Sequence, residues 1–145
     1  MAKFAQGQFV PKNAQKYVGK HTPRYRSGWE LTFMNFCDNN KNVLYWASEA
    51  ISVPYRNPFT GQPKNYIPDF FVVYENKYGK KVAEVVEIKP KKQTTPPNEK
   101  NKKTAAYRNA ALTYAKNYAK WSAAREYCED RQMNFLILTE DHLGV

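Results

Sequence analysis

Tyr66–Tyr74 (YIPDFFVVY) and Lys81–Lys89 (KVAEVVEIK) decide the fold of this chain. Both runs are rich in β-branched and aromatic residues, and ENKYGK between them, with Gly79, is turn chemistry, so an antiparallel hairpin is predicted. Pro68-Asp69 sets a carboxylate among Ile67, Phe70 and Phe71. Glu87-Ile88-Lys89 sets a carboxylate and an ammonium two residues apart, hence on one strand face. Closing the hairpin brings Asp69 and Glu87 side by side at its far end. Two like charges at the end of a buried sheet raise each other's pKa and are costly without a cation. A hard divalent ion such as Mg²⁺, which takes one or two carboxylates plus water and phosphate, resolves that cost, with Mn²⁺ the expected substitute. Lys89 beside it can orient or deprotonate an attacking water and offset charge on a phosphate. Glu84 has the parity of Ile88, opposite to Glu87, and is left out of the site.

Upstream of the hairpin, Ser27 and Glu30 have capping-box spacing, and Trp29, Phe33, Phe36 and Cys37 recur at helical intervals, predicting a helix that stops near Asp38-Asn39-Asn40. Val43–Trp46 and Glu49–Tyr55 read as extended, and residues 56–65, with their prolines and glycine, as a loop. Downstream, residues 90–101 form a Pro-rich basic loop, and an alanine-rich helix runs from about Thr104 to Asp130. On that helix Tyr107, Ala111, Tyr114, Tyr118 and Trp121 form a stripe that reads as core in preference to a base-stacking surface. Met133–Thr139 reads as a strand buried on both faces, returning parallel to an earlier strand. The order predicts an α/β fold with a mixed central sheet flanked by helices, in one domain over 25–145. Residues 1–24 read as a basic, extended arm that is partly ordered at best.

The net charge of +10 is unevenly placed. Residues 1–26 contain no acid, Lys89–Lys103 holds Glu99 as its lone acid, and the acids gather after Glu126. A polyanion touching the arm and the central loop accounts for this pattern, and Arg26, Lys91 and Lys92 flank the proposed site as phosphate contacts that read no base sequence. No apolar run is long enough to span a bilayer, and the amino terminus lacks a signal-peptide core, so the expected compartment is the cytoplasm. Cys37, Cys128, His21 and His142 show no zinc spacing, so the cysteines are expected to be buried free thiols.

Asp69, an intervening stretch and Glu87-x-Lys89 resemble the PD-(D/E)xK motif of restriction-endonuclease-like nucleases. In the branch resembling RecB-type and Tn7-transposition nucleases an upstream helix adds a glutamate, and Glu30 stands in that place. The bland reading of Glu30 is a helix cap. Tyr25-Arg26-Ser27-x-Trp29-Glu30, Trp46-Ala47-Ser48-Glu49, Glu87-Ile88-Lys89-Pro90-Lys91-Lys92-Gln93-Thr94 and Ile137-Leu138-Thr139-Glu140 resemble the head-completion nuclease family of T4-like phages over nearly the whole chain. That resemblance implies a metal-dependent endodeoxyribonuclease with Glu30, Asp69, Glu87 and Lys89 as catalytic residues and Glu30, Asp69 and Glu87 as metal ligands. It further implies DNA as substrate, portal or neck proteins as partners, and a place in the host cytoplasm or the virion head-neck region. Glu49 belongs to one of these phrases and is a candidate supporting acid. A junction-resolving or transposon-end nuclease on the same fold, and a basic head protein that binds DNA without cutting it, are the competing readings. Oligomeric state is left open.

Overall fold

A computed structural model describes residues 6–98, 100 and 103–144. Its centre is a sheet of β3 (Val43–Ser48), β6 (Phe70–Glu75), β7 (Lys81–Ile88) and β8 (Asn134–Leu138), in the order β3-β6-β7-β8. The first three strands pair antiparallel, and β8 returns parallel to β7. This is the predicted mixed sheet, with hairpin and crossover where expected. Gly79, at φ 76°, supplies the left-handed residue that the β6–β7 turn requires.

Alternation along these strands divides the core between two layers. Trp46, Phe70, Val72, Val86 and Ile88 face helix α1 (Gly28–Asn39) and meet its Phe33, Met34 and Cys37. The other face is covered by α2 (Ala105–Asp130), whose Trp121 and Ala124 join Val53, Tyr66, Phe135 and Ile137. Ser27 caps α1 by accepting the Glu30 N–H, and Thr104 caps α2 by accepting the Tyr107 N–H, so both helices start where hydroxyl caps predict. A one-turn helix α3 (Glu140–Leu143) closes the described chain, capped by Thr139. Cys37 and Cys128 are buried free thiols, as expected.

Several expectations need correction. The amino-terminal segment is no loose arm from residue 6 onward; Lys3 lies outside the described residues. Gly7–Gln8 (β1) pairs with Arg24–Tyr25 (β2), Phe9 is buried in the core, and Tyr17 packs edge-on against Trp46 at 4.8 Å between centroids. Asp38 anchors the segment. It is 2% exposed, and its carboxylate accepts the backbone N–H groups of Lys12 at 2.9 Å and Asn13 at 3.0 Å. Residues 56–65 are not all loop either: Val53–Arg56 (β4) and Pro63–Tyr66 (β5) form a separate hairpin against α2, so Tyr66 belongs to it and not to the strand that follows. Asp69 sits in the bend before β6, not inside the strand. β8 is an edge strand among the described residues, and its faces are incompletely covered: Leu136, on the same side of the sheet as Val86, is 36% exposed. The tyrosine stripe on α2 is only partly core. Trp121 is buried while Tyr118, three residues before it and on another side of this helix of about 40 Å, is 56% exposed.

Asp38→Ala leaves the part-buried amides of Lys12 and Asn13 without their acceptor and is expected to cost about 2 kcal/mol. The check is a urea titration, in which the midpoint falls and the slope is unchanged.

Candidate active site

The β6–β7 register runs from Phe70↔Val86 to Glu75↔Lys81. One step further out it sets Asp69 opposite Glu87, beside each other at the rim of the sheet. The Asp69 carboxylate accepts the Ile88 backbone N–H at 2.7 Å, and its main-chain carbonyl accepts the Glu49 N–H at 3.0 Å. Both neighbouring strands therefore clamp this residue, and buried Pro68 fixes the chain before it. Glu87 is 6% exposed; the Tyr66 hydroxyl donates to its Oε1 at 2.6 Å, and the Lys89 ammonium stands 3.6 Å from its Oε2. Lys89 is itself held by its backbone N–H donating to the Leu138 carbonyl at 3.0 Å, so the β7–β8 pairing aims it.

Glu30 comes from the first turn of α1. Its carboxylate accepts the Arg26 backbone N–H at 3.2 Å, a variant of the expected capping box with the donor one residue earlier. The Arg26 guanidinium pairs with Glu49, whose φ of 50° is unusual for a residue with a side chain. A left-handed non-glycine residue costs of order 1–3 kcal/mol and persists where its surroundings fix it, here through the Arg26 pair and the bond to Asp69.

Burial, reinforced by the Glu87 charge, pushes Asp69 up from 3.8 to about 8. Burial also raises Glu87, opposed by the Tyr66 and Lys89 contacts, and raises Glu30, with Glu49 and Glu87 adding to that rise. All four predicted catalytic residues thus share one electrostatic neighbourhood. They do not form a closed cage: among the described residues no three acidic, histidine or cysteine side chains stand ready around one point. The donor set nonetheless suits a hard divalent cation. Paired buried carboxylates that repel each other, open at the rim to water and phosphate, are what Mg²⁺ coordination requires.

The remaining predicted residues are distributed less simply. Lys91 is engaged by the carboxyl-terminal acids, its ammonium 3.1 Å from Asp141 and its N–H donating to Glu140. The acidic end therefore folds back beside the basic loop, which the charge pattern along the chain does not reveal. Lys92 is exposed and lines a cleft against α2. Glu99 and Lys102 lie outside the described residues. Glu84 is on the far face, accepting from the Tyr74 hydroxyl at 3.0 Å. Tyr66 is the residue that sequence reading missed. Its clue was a tyrosine three residues before Asp69, but only the β4–β5 hairpin directs it to Glu87.

Because the folded Asp69 pKa lies above the unfolded one, the native state keeps a proton that the unfolded chain has released at intermediate pH. Stability therefore falls as pH rises from the ordinary aspartate range to about 8. Asp69→Asn keeps an acceptor for the Ile88 N–H and removes the titration. In metal-free buffer it is expected to melt above the parent at about pH 9, with the gap closing towards about pH 4. Parallel melting curves across that range would refute the assignment.

Residues 40–140 match the family model described as the TnsA-like endonuclease N-terminal domain. The head completion nuclease of Enterobacteria phage T4 is 37% identical over 142 residues, which cover 94% of this chain and 92% of that protein. With the mixed sheet and its flanking helices, these matches show that the chain belongs to the TnsA-like endonuclease family and has a restriction-endonuclease-like fold.

Proposed function

We propose that this protein is a Mg²⁺-dependent endodeoxyribonuclease that hydrolyses phosphodiester bonds in DNA and acts in phage head completion after packaging. The observation that carries the reading is Asp69 opposite Glu87 at the sheet rim, with Lys89 3.6 Å from the Glu87 carboxylate. Mg²⁺, or Mn²⁺ in its place, would be held by Asp69 and Glu87 with Glu30 approaching from α1, and would supply Lewis-acid charge and water activation. The residues do the positioning. Asp69 commits one oxygen to the Ile88 amide, which fixes the plane of its carboxyl group. Tyr66 ties down Oε1 of Glu87, and Lys89 lies on the side of Oε2. The Lys89 ammonium can then orient the attacking water and offset the charge that grows on the phosphate.

Near-full-length identity to a nuclease named for head completion supports the phage role over a transposon-end one, although both keep the same site chemistry. Portal or neck proteins as partners, and a place in the host cytoplasm or the virion head-neck region, belong to the same proposal. No helix among the described residues is long and apolar enough to cross a membrane.

Incubated with supercoiled plasmid and Mg²⁺, the protein is expected to convert it to nicked circles, and chelation should stop the reaction. Asp69→Ala and Lys89→Ala should each lose about 100-fold or more in rate while keeping the parent's circular dichroism. A non-catalytic DNA-binding protein would instead leave the plasmid intact in all three cases. Tyr66→Phe removes one hydroxyl and keeps the ring. It is expected to raise the Mg²⁺ concentration giving half-maximal nicking by about 10-fold, measured by metal titration at fixed DNA.

A further inference from the structure

Helix α2 changes character along its length. Its buried positions, Asn117, Trp121, Ala124 and Cys128, all lie from its middle onward, where it covers β4 and β8. From Ala105 to Lys116 every residue is exposed or half-buried. The chain from Lys100 to Arg125 carries seven lysines and arginines and no acid. Tyr114 and Tyr118 lie one turn apart in this stretch, with ring centroids 6.2 Å from each other, and Tyr118 is 56% exposed. Exposed basic residues on a helix are ordinarily a solvated face; exposed aromatic rings among them are not explained that way.

A cleft of about 390 Å³ separates this part of α2 from the loop that follows Lys89. Lys92, Gln93, Thr113, Tyr114 and Asn117 line it. Beyond the cleft, three residues along α2 from Asn117, Lys120 stands on the side of the candidate active site. That ammonium lies 5.9 Å from the centroid of the Tyr66 ring and favours the charged form of Glu87. Such a space is large enough to admit a nucleotide. Rings that accept a base face, beside cations that accept its phosphates, form the usual platform for an unpaired strand.

We infer that this cleft holds single-stranded DNA adjoining the scissile bond, with a base stacked on Tyr114 or Tyr118 and the backbone tracking Lys92 and Lys120. The inference rests on the nuclease reading and refines its substrate: DNA with an unpaired segment beside the cut, such as an overhang or a flap, is favoured over blunt duplex.

Binding is measured with the Asp69→Asn chain by fluorescence anisotropy, so that no cleavage intervenes. The two probes are a labelled blunt duplex and the same duplex with a single-stranded overhang. The overhang is expected to bind about 10-fold more tightly. Replacing both tyrosines by alanine should abolish that preference, while Tyr114→Phe with Tyr118→Phe, which keeps the rings, should retain it. Equal affinity for the two probes, or a preference that survives the alanine pair, overturns the inference. Plasmid nicking by the parent chain, run alongside, separates the two claims. Nicking without overhang preference removes this inference and leaves the nuclease; overhang preference without nicking supports the cleft and removes the nuclease.

Discussion

The register of one hairpin governs everything else in this molecule. Asp69 meets Glu87 only because β6 and β7 are paired as they are, and a slip of one residue would send every side chain of one strand to the opposite face. Three features hold that register. The turn at Gly79 sets its closed end. Apolar residues on both faces, Phe70, Val72 and Val86 towards α1 and Val85 towards α2, would lose their burial if it moved. At the open end the bond from the Ile88 amide to the Asp69 carboxylate locks the functional residue itself. That last bond serves structure and site together, since it satisfies a main-chain donor with the same carboxylate that burial makes reluctant to ionise.

The rim position explains why each functional group arrives from a different element. Glu30 comes from α1 on one face of the sheet, Tyr66 from the β4–β5 hairpin on the other, and Asp69, Glu87 and Lys89 from the hairpin between. Only at the end of the sheet do both layers reach the same place. The cost is like-charge crowding, and the protein opposes it locally: Arg26 faces Glu49, and Lys89 stands beside Glu87. The exposed Arg26–Glu49 pair is worth little as a stabilising contact, whereas the Lys89–Glu87 pair is mostly buried. Their effect is on placement, keeping the acids from repelling one another out of the site.

What could be read from the chain was local, and what could not was tertiary. Ser27 announces its helix because a cap acts within one turn, the long helix announces itself by its run of alanines, and the β6–β7 hairpin follows from the turn between its strands. The parallel return of β8 follows from a strand after a long helix. The amino-terminal segment was opaque because its order depends on Asp38, more than twenty residues away, and on a pocket around Trp46 that exists only when the sheet is formed. β8 looked interior because an apolar run records hydrophobicity and not which side remains uncovered. Asp69, Glu87 and Lys89 were legible through spacing and motif, whereas Tyr66 was not, since a tyrosine in a proline-flanked stretch carries no mark of the carboxylate it will hold.

Separation of charge along the chain becomes separation of tasks in space. The acids of the candidate site are buried or half-buried at the sheet rim, where desolvation makes them favour a compact cation over solvent. The lysines and arginines of α2 are mostly exposed on a helix that extends past the sheet, where a flexible polyanion can reach them. If both sets lay on one flat surface, the acids would repel the phosphates that the lysines attract. On the proposed reading, setting the acids back at the rim and carrying the cations outward on α2 would let a DNA strand be held by the helix before its phosphate meets the carboxylates. A divalent cation held by these carboxylates would, on the same reading, offset the negative charge of both partners.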